Sequence, residues 1–491
     1  MQMTTPMLTA LRERAERTYT ENGAVTLTTT RSRCLDLFAS IGALRDAPEG
    51  SITERFHRAW CEDRDLALRT LFYARDVRGG LGERRVFRVL LRYLAQDHPD
   101  SVRKNLEFIP LMGRWDDLLA LMDTPCRRAA VDMIRRRLRE DLENDAHGRG
   151  ISLMAKWLPS VNTSDETQVL AGRRLARDLG MTQREYRRTL SRLRARLRIV
   201  ENSLRERDYT FDYASLPSAA LFRYRRAFLR NDTERYTAFM DDVSSGRAEL
   251  HTSSLLPSDL IDRALRFSGT PEERRALDIT WEALEDYTDA RNALCVVDTS
   301  GSMYWYGRPR PAAVALSLGL YFAQRNRGAF HDCFITFSTR PRLITVMGED
   351  LVDRVRYCES FSEAGSTNIS AVFDLVLEAA VSRHLPQSEM PDTLYFITDM
   401  EFDACAGGAN VTNFERARAL YRSHGYRLPR VVFWCVQSRR EQQPVSMNEQ
   451  GVALVSGYTP RLFEMVLSDR MDPYQVMTGI LNSDRYAGIR A

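Results

Sequence analysis

Apolar stretches long enough to cross a bilayer are missing from this 491-residue chain: runs such as 431–436 fall far below the roughly 20 residues a membrane span needs. The opening MQMTTPMLTALRERAERTY breaks into charge before a signal-peptide core could form, so a cytoplasmic protein with no membrane contact is expected. The 8 cysteines include no CxxC pair, and the 7 histidines no HxxxH or HExxH, which argues against a disulfide framework and against the common zinc spacings. The glycine-rich RGGLGERR at 78–85 lacks the Gly-Lys-Ser/Thr ending of a phosphate-binding loop, and no GxSxG nucleophile elbow occurs. With no nucleophile and base in view, the expectation is a non-enzymatic protein. Lysine is nearly absent too: of 70 basic residues only Lys104 and Lys156 are lysine.

What the chain has instead is arginine, unevenly placed. Residues 125–230 hold 24 basic against 13 acidic residues, whereas 231–290 hold 6 against 14. Residues 1–124 and 291–491 are close to neutral, so the basicity lies in one stretch. Within it Arg127, Arg128, Arg135, Arg136, Arg137 and Arg139 fall on one helical segment, and Arg184, Arg187, Arg188, Arg192, Arg194, Arg196 and Arg198 on another. Spacings of three, four and seven put such side chains along a helical stripe, as contacts to successive phosphates require. For either helix alone a solvated face, partly paired with Glu140, Asp141 and Glu143, is the plainer reading; for the basic region as a whole, nucleic acid is favoured. The acidic segment that follows could instead dock onto the basic one and silence part of its field.

Apolar periodicity divides the chain in two. Up to about residue 287 it is helical, with helices over 66–76, 83–96, 101–109 and 115–122 and short Gly, Pro or Asp breaks. Paired helices over so long a stretch suit HEAT-like repeats, with a globular bundle as the alternative. From about 291 the pattern becomes ALCVVD (293–298), HDCFITF (331–337), TLYFITD and RVVFWCV (430–436), separated by helical segments near 312–325, 370–384 and 414–424. Near-continuous apolar strands alternating with helices indicate a parallel sheet covered on both faces, with RPRLITVM at 340–347 as an edge strand and VALVSG as a further strand. The expected architecture is therefore α + α/β, with an all-α domain at 1–287 and an α/β domain at 288–491.

The first strand of the α/β domain runs into Asp298-Thr299-Ser300-Gly301-Ser302, a DxSxS loop at the carboxyl end of a parallel strand, where open α/β sheets bind ligands. The loop Ala364–Asn368 offers Thr367, and the strand TLYFITD leads to Asp399 at the same edge. Hydroxyls with two carboxylates form a hard-oxygen set suited to Mg²⁺ or Mn²⁺; capping of helices and loops by the same groups is the alternative. Glu401 and Asp403 read as solvated loop residues. The constellation resembles the metal-ion-dependent adhesion site of von Willebrand factor type A domains. That resemblance implies Ser300, Ser302 and Thr367 as direct or near-direct ligands, Asp298 and Asp399 holding the ion, often through water, and one position open to an acidic residue of a protein partner.

At the level of the whole chain, TENGAVTLTTTRSRCLDLFASIGALR (20–45), LFYARDVRGGLGERRVFRVLLRYL (71–94), NLEFIPLMGRWDDLLAL (105–121), VVDTSGSM (296–303), ITDMEFDAC (397–405) and GVALVSGYTPRLFEMVL (451–467) resemble the Ro autoantigen family, whose helical module is called TROVE, and more closely a TROVE-related family of unknown function. The resemblance implies helical repeats, possibly a ring, bearing a type A domain and working as an RNA-binding ribonucleoprotein component. Small structured RNAs would lie on the basic outer surface and single-stranded ends would enter the hole. The candidate RNA contacts are Arg78, Arg84, Arg85 and Arg114 in the family-like blocks and Arg135, Arg136, Arg184, Arg187, Arg188, Arg194 and Arg198 in the basic region. The alternative is a metal-dependent protein-interaction scaffold without nucleic acid.

Overall fold

A computed structural model describes residues 16–20, 22–197, 199–252, 255–288, 292–298, 300–304, 309–362, 368–402, 413–466 and 472–491, with the backbone alone at Ser302. The helical part begins with α1 (Arg33–Ser40), α2 (Glu49–Glu62) and α3 (Arg64–Arg75). Ser32 and Asp63 cap α1 and α3 by accepting the backbone N–H groups of Leu35 and Leu66, which the helices' own carbonyls cannot reach. α4 (Arg85–Asp97), α5 (Pro99–Lys104) and α6 (Phe108–Met112) follow. The single helix expected over 101–109 is thus two, because the Asn105 amide donates to the Ser101 carbonyl at 2.7 Å and to the main chain of Arg490 at 2.6 Å, ending α5. The helix expected at 115–122 is a 3₁₀ segment, Trp115–Leu121, pinned where the Arg114 N–H donates to Asp117 at 2.9 Å.

The remaining helices of this half are α7 (Arg127–Ala146), α8 (Met154–Trp157), α9 (Glu166–Asp178), α10 (Gln183–Arg196), α11 (Val200–Glu206), α12 (Ser218–Asn231), α13 (Thr233–Ser244), α14 (Pro257–Leu265) and α15 (Pro271–Glu282). The half is not all helix. β1 (Arg17–Tyr19) and β2 (Val25–Leu27) pair antiparallel across a turn in which Gly23 has φ +83°. The threonine-rich TLTTT run favours extended backbone, and Leu27 and Gln443 exchange N–H···O bonds of 2.9 and 2.7 Å, fastening the hairpin to the far end of the chain.

The α/β part contains β3 (Ala293–Asp298), α16 (Pro311–Arg325), β4 (Cys333–Phe337), β5 (Leu343–Thr345), α17 (Leu351–Glu359), α18 (Ile369–Ser382), β6 (Thr393–Thr398), α19 (Asn413–Ser423), β7 (Arg430–Cys435), β8 (Val452–Ser456), α20 (Leu462–Met465) and α21 (Pro473–Leu481). Its 6-stranded sheet has the order β5-β4-β3-β6-β7-β8, parallel throughout except for the edge strand β5. Alternation along each strand serves two cores: Cys295 and Val297 join α16 and the helical half on one face, while Leu294 and Val296 pack with α18 and α19 on the other.

The helical half meets this sheet at both of its ends. α1 and the turn after it lie against β8, so closely that a Cβ on Gly42 would stand 2.6 Å from the Ser456 carbonyl oxygen. At the other end α14 packs on α16 and α17, and Arg274 bonds Asp350 at 2.8 Å and Asp353 at 2.6 Å. The C-terminal residues return to the first helices: Tyr486 is buried with its hydroxyl 2.9 Å from Asp76, and Arg485 pairs with the same carboxylate. The helices therefore form a circuit closed through the sheet. One apolar cluster runs through α1–α10, α14 and the sheet, and a separate one holds α11–α13 and part of α15. No described helix is long and apolar enough to cross a membrane.

Candidate nucleic-acid interface and metal centre

Asp298 ends β3, and Asp399 follows the last residue of the neighbouring strand β6, so sheet pairing alone brings the two carboxylates to one edge. Both are buried. Asp298 accepts the Ser300 N–H at 2.9 Å and the Thr398 hydroxyl at 2.6 Å. Asp399 accepts the Glu401 N–H at 3.2 Å and lies 3.3 Å from the Arg439 guanidinium. Met400 between them has φ +69°, a conformation costing on the order of 1 kcal/mol for a residue with a side chain. Gln442 holds it by donating to the Met400 carbonyl at 3.0 Å. Burial, and then the charge of Asp399, push the Asp298 carboxyl up to about 7.

Two carboxylates crowded out of water beside the Ser300 hydroxyl form a donor set that fits a hard divalent cation. Among the described residues no group of three or more His, Cys, Asp or Glu is arranged to hold a metal, so the donors on offer there are the two carboxylates and the Ser300 hydroxyl. Thr367 and Asp403 lie outside the described residues, as does the Ser302 side chain. Glu401, expected in a solvated loop, is buried. Arg439 was not foreseen; the one cue is that it follows β7, the strand beside β6, which only the sheet order reveals.

The candidate arginines fall into three groups. Arg184, Arg187 and Arg188 are exposed along α10, and no acidic side chain stands within ion-pair distance of them among the described residues. The sequence reading missed Arg173 and Arg177 on α9, the preceding helix of the same hairpin, which are also exposed and without an acidic partner among those residues. Their i, i+4 spacing was the available signal. Arg78 is exposed on the turn after α3.

A second group is held by protein. Arg194 donates to the Ala155 and Leu158 carbonyls at 2.8 and 2.7 Å and to the Ser160 hydroxyl at 2.7 Å, so it ties α10 to the end of α8. Arg135 bonds the Asp178 carbonyl at 2.8 Å and pairs with Asp132, while Arg136 meets Glu107 at 3.2 Å. Arg85 donates to the Arg45 and Ala47 carbonyls at 2.9 and 2.8 Å. Arg198 lies outside the described residues.

The third group faces a cavity of about 1430 Å³ reaching from the start of α4 to α12. Arg84 and Arg114 share Asp116 at 2.7 and 2.8 Å, and Arg114 lies 4.0 Å over the Trp157 ring. Lys156, Arg205, Arg223 and Phe211 add cations and an aromatic face, against Glu201, Glu206 and Asp208. Such a wall offers phosphate contacts together with ring faces on which bases can stack.

Two family models match the chain, and both describe domains of unknown function: DUF2828 over residues 20–124 and 165–293, and DUF7788 over 292–480. The chain is 28% identical to "Uncharacterized protein L728" of Acanthamoeba polyphaga mimivirus, covering 95% of this chain and 87% of that protein. Among solved structures it is similar to the Ro (RSR) protein of Deinococcus radiodurans, with 16% identity, a TM-score of 0.36 and coverage of 92% and 93% of the two chains.

Proposed function

We propose that this is a non-enzymatic RNA-binding protein of the cytoplasm, in which the helical circuit carries the RNA and the α/β domain carries a Mg²⁺- or Mn²⁺-dependent site for an acidic residue of a protein partner. The observation that carries it is the α9–α10 hairpin, where Arg173, Arg177, Arg184, Arg187 and Arg188 are exposed without an acidic partner among the described residues. Unneutralised arginines at helical spacing gain most from displacing counterions on a phosphate backbone. The mixed cavity beside Trp157 and Phe211 suits unstacked single-stranded ends. The resemblance of the sequence blocks to the TROVE module supports the same reading.

Specificity would then lie in RNA shape and unpaired ends, since backbone contacts carry little sequence information. Asp298, Ser300 and Asp399 would hold the cation together with Ser302 and Thr367, and the bound ion would supply a Lewis-acidic position for a carboxylate. A second reading, a protein scaffold without nucleic acid, draws on the burial of Asp298 and Asp399, which gives the α/β domain a site independent of the arginines. Titrating fluorescent structured and single-stranded RNA into the protein with and without EDTA separates the two. Tight, salt-sensitive, EDTA-insensitive binding supports the RNA reading. Failure to bind either RNA at low salt refutes it.

A further inference from the structure

A second cleft, of about 450 Å³, opens between α4 and the segment after α1. Its volume falls within the range typical of small-molecule sites. Arg45, Arg84, Arg85, Arg88 and Arg92 line it, with Glu49 and Glu83 the acids on its wall. Arg85, Arg88 and Arg92 follow one another at i, i+3 and i+7 on α4, so a single helix face presents three guanidiniums to the same space.

The neighbouring carboxylates do not neutralise this set. Glu83 is buried and committed to Arg45, with a bond of 2.9 Å to its Nε. Glu49 takes Arg92 at 3.0 Å. Asp116 and Asp117 serve Arg84 and Arg88, but also Arg114 and the buried Arg75. Even with Asp46 and Asp259, whose charges also meet Arg45, seven arginines, the buried Arg75 and Arg114 included, face six carboxylates. Burial, followed by the charge of Arg88, pushes the Arg84 guanidinium below its ordinary value, as expected where cations crowd one another.

The lining also says what the ligand is not. Among the described residues Val89 is the one large apolar side chain on the wall and no aromatic ring faces the cleft, so it offers no ring on which a base could stack. Planar guanidiniums, in contrast, match phosphate oxygens two at a time. We propose that this cleft is a polyphosphate site, taking a chain of linked phosphates irrespective of the base attached, as found on a free nucleoside triphosphate or on the 5′-triphosphate end of an RNA. The RNA source rests on the function proposed above, whereas the free-nucleotide source does not.

The test uses the full chain and inorganic tripolyphosphate, titrated calorimetrically, beside the double variant Arg85→Ala/Arg92→Ala. Both substituted residues are exposed, and circular dichroism would show that the variant remains folded without the Arg85 bonds to the Arg45 and Ala47 carbonyls. The proposal expects tripolyphosphate, ATP and GTP to bind within about threefold of one another, and the variant to lose at least tenfold for each. Absence of tripolyphosphate binding, equal binding by the variant, or a strong preference between ATP and GTP would overturn it. Comparing one RNA with a 5′-triphosphate and a 5′-hydroxyl then separates the sources. Tighter binding of the triphosphate form, abolished in the variant, assigns the RNA end. Equal binding of the two forms, with tripolyphosphate still bound, assigns the free nucleotide. Loss of all RNA binding with tripolyphosphate retained refutes the proposed function and leaves the cleft standing.

Discussion

Replacing Arg184, Arg187 and Arg188 with alanine should remove a defined part of the electrostatic contribution to RNA binding. Each arginine that neutralises a phosphate adds roughly 0.7 to 0.9 to the slope of log K against log salt, so three should lower the slope by about 2 to 3. Between 50 and 200 mM salt the unmodified protein should therefore lose roughly 20- to 40-fold more affinity than the variant. The fold should barely notice: with no acidic partner among the described residues, each substitution should stay within about 0.5 kcal/mol. Fluorescence anisotropy over a salt series measures the slope, and urea denaturation measures stability. Arg194→Ala is the contrast. Its donors satisfy the Ala155 and Leu158 carbonyls and the Ser160 hydroxyl, so it should lose about 1–3 kcal/mol of stability through the orphaned groups. An unchanged slope in the triple variant, with a large change in the Arg194 variant at equal stability, would refute the assignment of the outer arginines.

At the join between the C-terminal residues and α3, the Asp76 carboxyl is pushed up by burial but held below its ordinary value by the Arg485 guanidinium and by the N–H groups of Arg78 and Gly79. A depressed carboxylate contributes stability above its unfolded value of about 4 and loses it as pH falls through the folded value. Asp76→Asn should thus cost on the order of 3 kcal/mol at pH 7, and the two unfolding curves should converge in strong acid; parallel curves would contradict this. Arg439→Gln should tighten Mn²⁺ binding by freeing Asp399 of a competing cation, and Asp298→Asn should weaken it, both read by calorimetry. Equal affinity in all three proteins would place the ion elsewhere. Gly42→Ala should destabilise by about 1–3 kcal/mol, because its Cβ would meet the Ser456 carbonyl and split α1 from β8; an unchanged melting temperature would show that this contact yields.

The sheet was legible in the sequence because strands buried on both faces are near-continuous apolar runs, and β3, β4, β6 and β7 stand out against amphipathic surroundings. The β1–β2 hairpin was not, since strands of 3 residues carry no periodicity and this one is held by Gln443, more than 400 residues away. The break at Asn105 was hidden for the same reason: its amide is satisfied in part by Arg490. In the candidate sites, Asp298 and Asp399 could be placed from strand ends alone, while Arg439 depended on the order β3-β6-β7. The arginines show the limit most clearly. Arg187 and Arg194 lie seven residues apart on one helix and look alike in sequence, yet one faces solvent and the other caps a different helix. Which of them can meet phosphate is decided by tertiary neighbours rather than by spacing.

The most direct measurement of the central claim is ultraviolet crosslinking of bound RNA followed by mass-spectrometric mapping of the modified peptides. Crosslinks should concentrate in peptides from α9 and α10, residues 166–196, and around Trp157 and Phe211. Protein that crosslinks to no RNA, or only through the α/β domain beyond residue 292, would contradict the account.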